Sequence, residues 1–236
     1  MSTVVVTGGT RGIGGAISAG LAGEGHHVIA LATSLPDETP DGVDARVCDV
    51  TDPQQVAAVF SDIGAVDVLV NNAGVSGSNR LGRTTLEEWN RNIAVNATGT
   101  FLCTRAVIDQ MLERDSGKIV TVASIAGVEG APYIAAYAAS KHAVMGLMRV
   151  VAAEVAGTGV TVNSVCPTFV RTEMTVATIA NIAERTGKNL ADAEVALAKA
   201  TPHGRIIEIA EVVDAVMELL AGDLSGQEIV LDGGPS

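Results

Sequence analysis

The segment YAASK at 137 to 141 sets a phenol, Tyr137, and an ammonium, Lys141, four residues apart in a run that is otherwise alanine and aliphatic. Four residues make about one turn of α-helix, so both side chains lie on one stripe and can act together on whatever fills the groove beside it. A phenol with a pKa near 10 is a poor base at neutral pH, and a neighbouring cation favours its phenolate. The pair therefore predicts proton exchange with an oxygen, either protonating an alkoxide or deprotonating an alcohol. A Tyr and a Lys on a partly solvated helix is the plainer alternative, because a match this short arises readily by chance.

Other residues favour the chemical reading. TGGTRGIG at 7 to 14 follows an apolar run and places Gly8, Gly12 and Gly14 at the opening of a helical segment. Glycines there permit a tight turn and let the backbone approach a pyrophosphate, which rests against the positive end of the helix. Ser124 ends the run KIVTVAS. Its hydroxyl can hold a carbonyl oxygen beside Tyr137, although serine at a strand end also suits a simple turn. Asn96 sits with Thr98 and Gly99, weak helix formers all, inside a long helical pattern, a local conflict of the kind that marks function.

Positioning these residues requires a sheet. Short β-branched runs recur at 3 to 7, 28 to 32, about 44 to 50, 66 to 70, 118 to 124, 160 to 166 and 228 to 231. Segments with helical spacing alternate with them at 13 to 24, 53 to 63, 88 to 113, 133 to 156 and 208 to 221. Strand alternating with helix predicts an α/β fold, a doubly wound parallel sheet of about seven strands of the Rossmann type, in a single domain over 1–236. The stretch 167 to 207 has no strand pattern and reads as an insertion of short helices. Ligands bind beyond the carboxyl ends of such strands, so the insertion, about 168–207, is expected to lie over the site as a lid.

Composition narrows the function. Of 236 residues 47% are hydrophobic and 18% charged, which suits a sheet covered on both faces. The net charge of −12, with no Lys/Arg run, argues against nucleic acid and other acidic macromolecules as partners. Cys48, Cys103 and Cys166 lie far apart in apolar surroundings and are expected to be reduced, buried thiols. The four histidines, 26, 27, 142 and 203, show no metal-ligand pairing, so no metal is implied. There is no basic leader and no run of 18 apolar residues, which predicts a cytoplasmic protein without a membrane span.

TGGTRGIG, NNAG at 71 to 74, Asn96 in NATG, Ser124 in VASIAG, YAASK, and a proline after the strand at 160 to 166 occur in one order across nearly the whole chain. Together they resemble the short-chain dehydrogenase/reductase family, in its classical branch and similar to its 3-oxoacyl reductase members. The resemblance implies hydride transfer between a ketone and a secondary alcohol, with Asn96, Ser124, Tyr137 and Lys141 catalytic. Tyr137 would be the general acid and base, and Asn96 would open its helix locally and hold a water in a proton relay to Lys141. Cofactor contacts are implied at Gly8, Thr10, Arg11, Gly12, Ile13 and Gly14, at Thr33 and Ser34, at Asp49 and Val50, at Asn72, Ala73 and Gly74 with Asn71 opening their turn, and at Tyr137, Lys141, Pro167, Val170 and Thr172. Asp49 would bind the adenine amino group, or alternatively cap the helix beginning near Pro53.

After the second strand stand Ala32, Thr33 and Ser34, with no carboxylate to repel a 2′-phosphate, and Arg11 lies in the glycine loop. These residues favour NADP(H), with NAD(H) the alternative. Thr168 stands where the family commonly has glycine. The resemblance implies a homotetramer. Where acyl-carrier-protein reductases present basic residues, this chain has Asp115 and Thr158. A free small ketone or secondary alcohol is therefore the expected substrate. A 3-oxoacyl thioester or polyketide-type ketone is the alternative within enzymes, and a non-catalytic nucleotide-binding sensor the alternative outside them.

Overall fold

The computed structural model describes residues 1–234. Its centre is a seven-stranded, wholly parallel sheet in the order β3-β2-β1-β4-β5-β6-β7. The strands are β1 (Thr3–Thr7), β2 (His27–Ala32), β3 (Val43–Val47), β4 (Val68–Asn71), β5 (Gly117–Val122), β6 (Val160–Pro167) and β7 (Glu228–Leu231). The chain winds outward through β2 and β3, then returns to place β4 on the other side of β1, so the carboxyl ends of β1 and β4 flank the point where the winding reverses. A crevice opens at such a point because the helices following the two strands leave to opposite faces.

The helices are α1 (Gly12–Gly23), α2 (Pro53–Ile63), α3 (Leu86–Asn92), α4 (Gly99–Glu113), α5 (Ala135–Glu154), α6 (Glu173–Thr186), α7 (Leu190–Ala198) and α8 (Ile209–Ala221). Side chains of a strand alternate between faces, and β1 shows the result: Val5 packs on one side with Phe60, Cys103 and Met145, and Val4 and Val6 on the other with Ile17, Leu21 and Val216. Both faces are thus covered, one by α1 and α8, the other by α2, α4 and α5, and the central strands β1 and β4 are mainly apolar, as burial on both sides requires.

The expected elements are present with three revisions. Residues 88 to 113 are α3, then a widened π-helical turn Ile93–Thr98 containing Asn96, then α4. β5 ends at Val122, so Ser124 lies beyond the strand and caps the one-turn 3₁₀ helix Ile125–Gly127 by accepting from the Ala126 N–H at 3.1 Å. β3 stops at Val47, and Asp52, not Asp49, caps α2: its carboxylate accepts from Gln54 N at 2.8 Å and Gln55 N at 3.2 Å ahead of Pro53. The helical expectation for 167 to 207 is met by α6 and α7, which share a small core of Ile179, Ala193, Leu197 and Ile206.

Leu69 lies in a central strand with no solvent exposure. Truncation to alanine, Leu69→Ala, is expected to cost about 2–5 kcal/mol, read as a lower urea midpoint with an unchanged slope.

Candidate active site

Residue types at the start of α1 dictate an anion cradle. Arg11 occupies the N-cap position in extended conformation without a side-chain cap, so the first N–H groups of the helix are left to an outside acceptor. Gly8 and Gly12 have φ of 63° and 56°, a region that disfavours any side chain. A Cβ on Gly14 would collide with the Asn72 carboxamide and the Gly8 carbonyl, so the loop closes only around glycine. The end of β4 is stitched to this loop: the Thr7 hydroxyl accepts from Asn72 N at 2.9 Å and Ala73 N at 3.0 Å, and Asn72 Nδ2 donates to the carbonyls of Thr7 at 3.0 Å and Gly8 at 3.2 Å. A glycine-walled cradle with unclaimed helix donors fits the pyrophosphate of a dinucleotide.

Gly74 brings the two halves of the site together. A Cβ there would stand 3.3 Å from Asn96 Oδ1 and 3.8 Å from Lys141 Nζ, so the glycine loop side of the sheet meets α5 at this residue. Lys141 is 6% exposed, and its Nζ donates to the Val122 carbonyl at 3.1 Å and lies 5.9 Å from the centre of the Tyr137 ring. Burial pushes the Lys141 ammonium down to about 8. Burial pushes the Tyr137 phenol up, and the Ser124 hydroxyl beside it draws it partly back. The expectation that Lys141 with a nicotinamide cation lowers the phenol meets an opposite influence in the chain itself, where loss of water around the phenolate sets the direction.

The Asn96 side chain is fully engaged. Its Oδ1 accepts from Val75 N at 2.8 Å, and its Nδ2 donates to the Val75 carbonyl at 2.9 Å and to Ser140 Oγ at 2.8 Å. Beyond β6, Pro167 ends the strand, Val170 bridges to Ile207, and Thr172 caps α6, accepting from Thr175 N at 3.4 Å. Among the described residues only Asp115 and Tyr133 combine a side chain with positive φ, so Thr168 replaces the family's glycine without that strain and instead donates its hydroxyl to the Leu231 carbonyl at 3.1 Å.

Arg11, Thr33 and Ser34 are all exposed, and Arg11 Nη1 pairs with Glu173 Oε2 of α6 at 3.3 Å. Asp49 Oδ1 accepts from the backbone and hydroxyl of Thr51 at 2.9 and 2.8 Å. Val50 is buried and would meet any Cβ on Gly99. Thr10 and Ile13 are partly buried in the cradle. Sequence reading did not single out Thr7, Val75 or Ser140. Nothing in their residue types marked them, since a buried hydroxyl or a backbone amide acquires its partner only when distant segments meet.

The sequence profile described as short chain dehydrogenase matches residues 2–183. The chain belongs to the short-chain dehydrogenase family. As a short-chain dehydrogenase it is an oxidoreductase acting on hydroxyl and ketone groups. It is 33% identical to a D-beta-hydroxybutyrate dehydrogenase of Rhizobium meliloti over 98% of this chain and 97% of the relative. It is 37% identical to the 3-oxoacyl-(acyl-carrier-protein) reductase of Vibrio cholerae over 98% and 95% of the two chains. Among solved structures, a variant of actinorhodin polyketide ketoreductase with NADPH superposes with a TM-score of 0.91 at 33% identity, covering 99% of this short-chain dehydrogenase and 96% of that chain.

The buried Lys141 has a consequence for stability. Its folded pKa, about 8, lies below the ordinary 10.5, so the folded state disfavours the charged form. The cost, about 3 kcal/mol, is present in full below pH 8 and relieved as pH rises toward 10.5, where the unfolded lysine also loses its proton. Lys141→Met is therefore expected to raise the melting temperature by a few degrees at pH 7, and by less at pH 10, while abolishing activity. Thermal melts of both proteins across this range check the sign.

Proposed function

We propose that this short-chain dehydrogenase is an NADP(H)-dependent reductase of a free small ketone, running in reverse as a secondary-alcohol dehydrogenase with the same cofactor, with NAD(H) the weaker partner. The observation that carries the reading is the meeting of Ser124, Tyr137 and Lys141 beside Gly74, at the carboxyl edge where the glycine cradle opens. The nicotinamide, when bound, supplies or accepts the hydride. Gly8, Thr10, Arg11, Gly12, Ile13 and Gly14 would hold its pyrophosphate side, Asp49 and Val50 the adenine, Asn72, Ala73 and Gly74 the sugars, and Pro167, Val170 and Thr172 the carboxamide.

The chain's own residues manage the proton. Ser124 holds the substrate oxygen through its hydroxyl, and Tyr137, kept protonated at neutral pH by burial, donates to that oxygen. Lys141, still charged below about pH 8, stabilises the phenolate left behind and binds the ribose hydroxyls. Reprotonation runs past Lys141 to solvent, and Asn96, its side chain spent on Val75 and Ser140, shapes that path where a water-holding role was expected. Alcohol oxidation needs the phenol proton removed first, so it gains with rising pH where reduction loses.

Preference for NADP(H) is supported by Arg11, Thr33 and Ser34 and by the NADPH of the actinorhodin reductase. Arg11 would exchange Glu173 for the 2′-phosphate, an exposed ion pair that costs little to break. Asp115 and Thr158 stand together at the amino ends of β5 and β6, away from the carboxyl edge where the site opens, with Asp115 Oδ1 accepting from Gly159 N at 2.6 Å, so a free substrate is supported by the acidity of the chain and not by these two residues. A net charge of −12 disfavours the approach of an acidic carrier. The likeness to polyketide and 3-oxoacyl reductases favours the second reading, a carrier- or thioester-bound ketone. The helices α6 and α7 would form the lid. A cytoplasmic homotetramer is supported by three buried free thiols and by apolar side chains left exposed on α4, α5 and β7, namely Phe101, Leu112, Val150 and Val230.

Tyr137→Phe is expected to lower ketone reduction by about 10²–10⁴-fold with cofactor binding retained, followed as NADPH absorbance. Arg11→Ala should reduce kcat/KM for NADPH about tenfold and leave NADH turnover within twofold. Equal loss with both cofactors would sink the 2′-phosphate assignment. For the wild-type enzyme, kcat for reduction should fall above about pH 8 as Lys141 loses its charge, and a flat profile to pH 10 would contradict that role.

A further inference from the structure

We propose that Ser140 is a positioning residue of the reaction centre: its hydroxyl ties the Asn96 carboxamide to the backbone of Tyr137 and thereby sets the phenol and the Lys141 ammonium against the Gly74 turn. The proposal rests on the reading of Tyr137 as proton donor.

Ser140 has no solvent exposure. A serine hydroxyl carries one donor and can accept, and both capacities are used here. It donates to the Tyr137 carbonyl at 2.7 Å and accepts from Asn96 Nδ2 at 2.8 Å. A buried serine needs only the first bond to satisfy itself, since bonding back to a carbonyl of the preceding turn is available to it in any helix. The second bond is what gives it reach. Asn96 spends its remaining donor and its acceptor on the carbonyl and N–H of Val75, at 2.9 and 2.8 Å. One unbroken chain of hydrogen bonds therefore runs from Val75, just past the NNAG turn, through the π-helical segment, to the first turn of α5.

The three parts it joins are the loop after β4, the widened turn and the helix that carries Tyr137 and Lys141. An alanine at 140 leaves an Asn96 N–H buried without a partner, and a carboxamide so placed rotates or moves away. Either motion disturbs the Val75 amide and the Gly74 backbone, whose Cβ direction points at both Asn96 Oδ1 and Lys141 Nζ. Ser140 touches no reacting atom, so its influence passes entirely through Asn96 and Tyr137.

The test compares Ser140→Ala, Ser140→Thr, Asn96→Ala and the double variant Asn96→Ala/Ser140→Ala in the whole enzyme. With Ser140→Ala, kcat for ketone reduction is expected to fall about tenfold, KM for the ketone to change less than twofold, and the alkaline midpoint of the pH profile to move. Ser140→Thr, which keeps the hydroxyl, should recover most of the loss, and the double variant should be no slower than Asn96→Ala, because both substitutions break one tie. Hydrogen exchange gives a readout free of activity: the Val75 amide should lose protection in Ser140→Ala while the strands of the sheet keep theirs. Wild-type kcat and pH profile retained in Ser140→Ala, additive losses in the double variant, or exchange that rises evenly over the chain would overturn the proposal. Failure of the unsubstituted enzyme to reduce any ketone would instead refute the functional reading, and the Val75 exchange would still decide the tie.

Discussion

Among the described residues Lys141 is the one charged side chain withdrawn from water, and the arrangement of its neighbours has to compensate it. Lys141 keeps one hydrogen bond, to the carbonyl that ends β5, and the face of the Tyr137 ring, and little else compensates the lost hydration. A charge so placed is held only if α5 cannot slide. The helix is fixed by apolar packing of Val144, Met145, Met148 and Val151 against the sheet and by the polar tie at Ser140 near its first turn. Stability surrendered at Lys141 is recovered in that packing. The same burial that depresses the lysine raises the phenol.

The sheet supplies the second constraint. Reversal of winding between β1 and β4 opens the crevice, but an open crevice is a place, not a shape. Shape comes from a few short-range contacts. Thr7 and Asn72 lock the two strand ends together, and Gly14 allows the approach that Asn72 demands. Gly74 then carries the wall of the cradle to the edge of Lys141. The glycine loop and the Asn96–Lys141 neighbourhood are thus joined through the ends of β1 and β4 at Gly74.

Around that rigid centre the protein is more loosely held. Helices α6 and α7 share a separate small core, and each makes a surface ion pair to a residue outside it, Glu173 of α6 with Arg11 and Glu194 of α7 with Arg171. Exposed pairs of this kind contribute little each to stability. The three thiols lie at the opposite extreme, Cys103 pushed up to about 12 by burial, and behave as apolar filling.

Much of this was written in residue order. Alternating apolar runs and helical spacings gave the strands, the order of the motifs gave the family, and Tyr137 and Lys141 declared themselves because a helix repeats about every four residues. Cap and strand ends were less legible: Asp49 and Asp52 are equivalent in type, and only the packed turn shows that Asp52 takes the cap and Asp49 holds Thr51. The long pattern from 88 to 113 contained weak helix formers but not the width of the turn they produce. The sequence by itself determined which groups exist and which lie one helical turn apart, since those depend on local geometry. Only the tertiary structure decided the direction of the Tyr137 shift, the pairing of Arg11 with Glu173 and the tie from Val75 to Ser140, because burial and contact between distant segments belong to the packed chain and to no stretch of it alone.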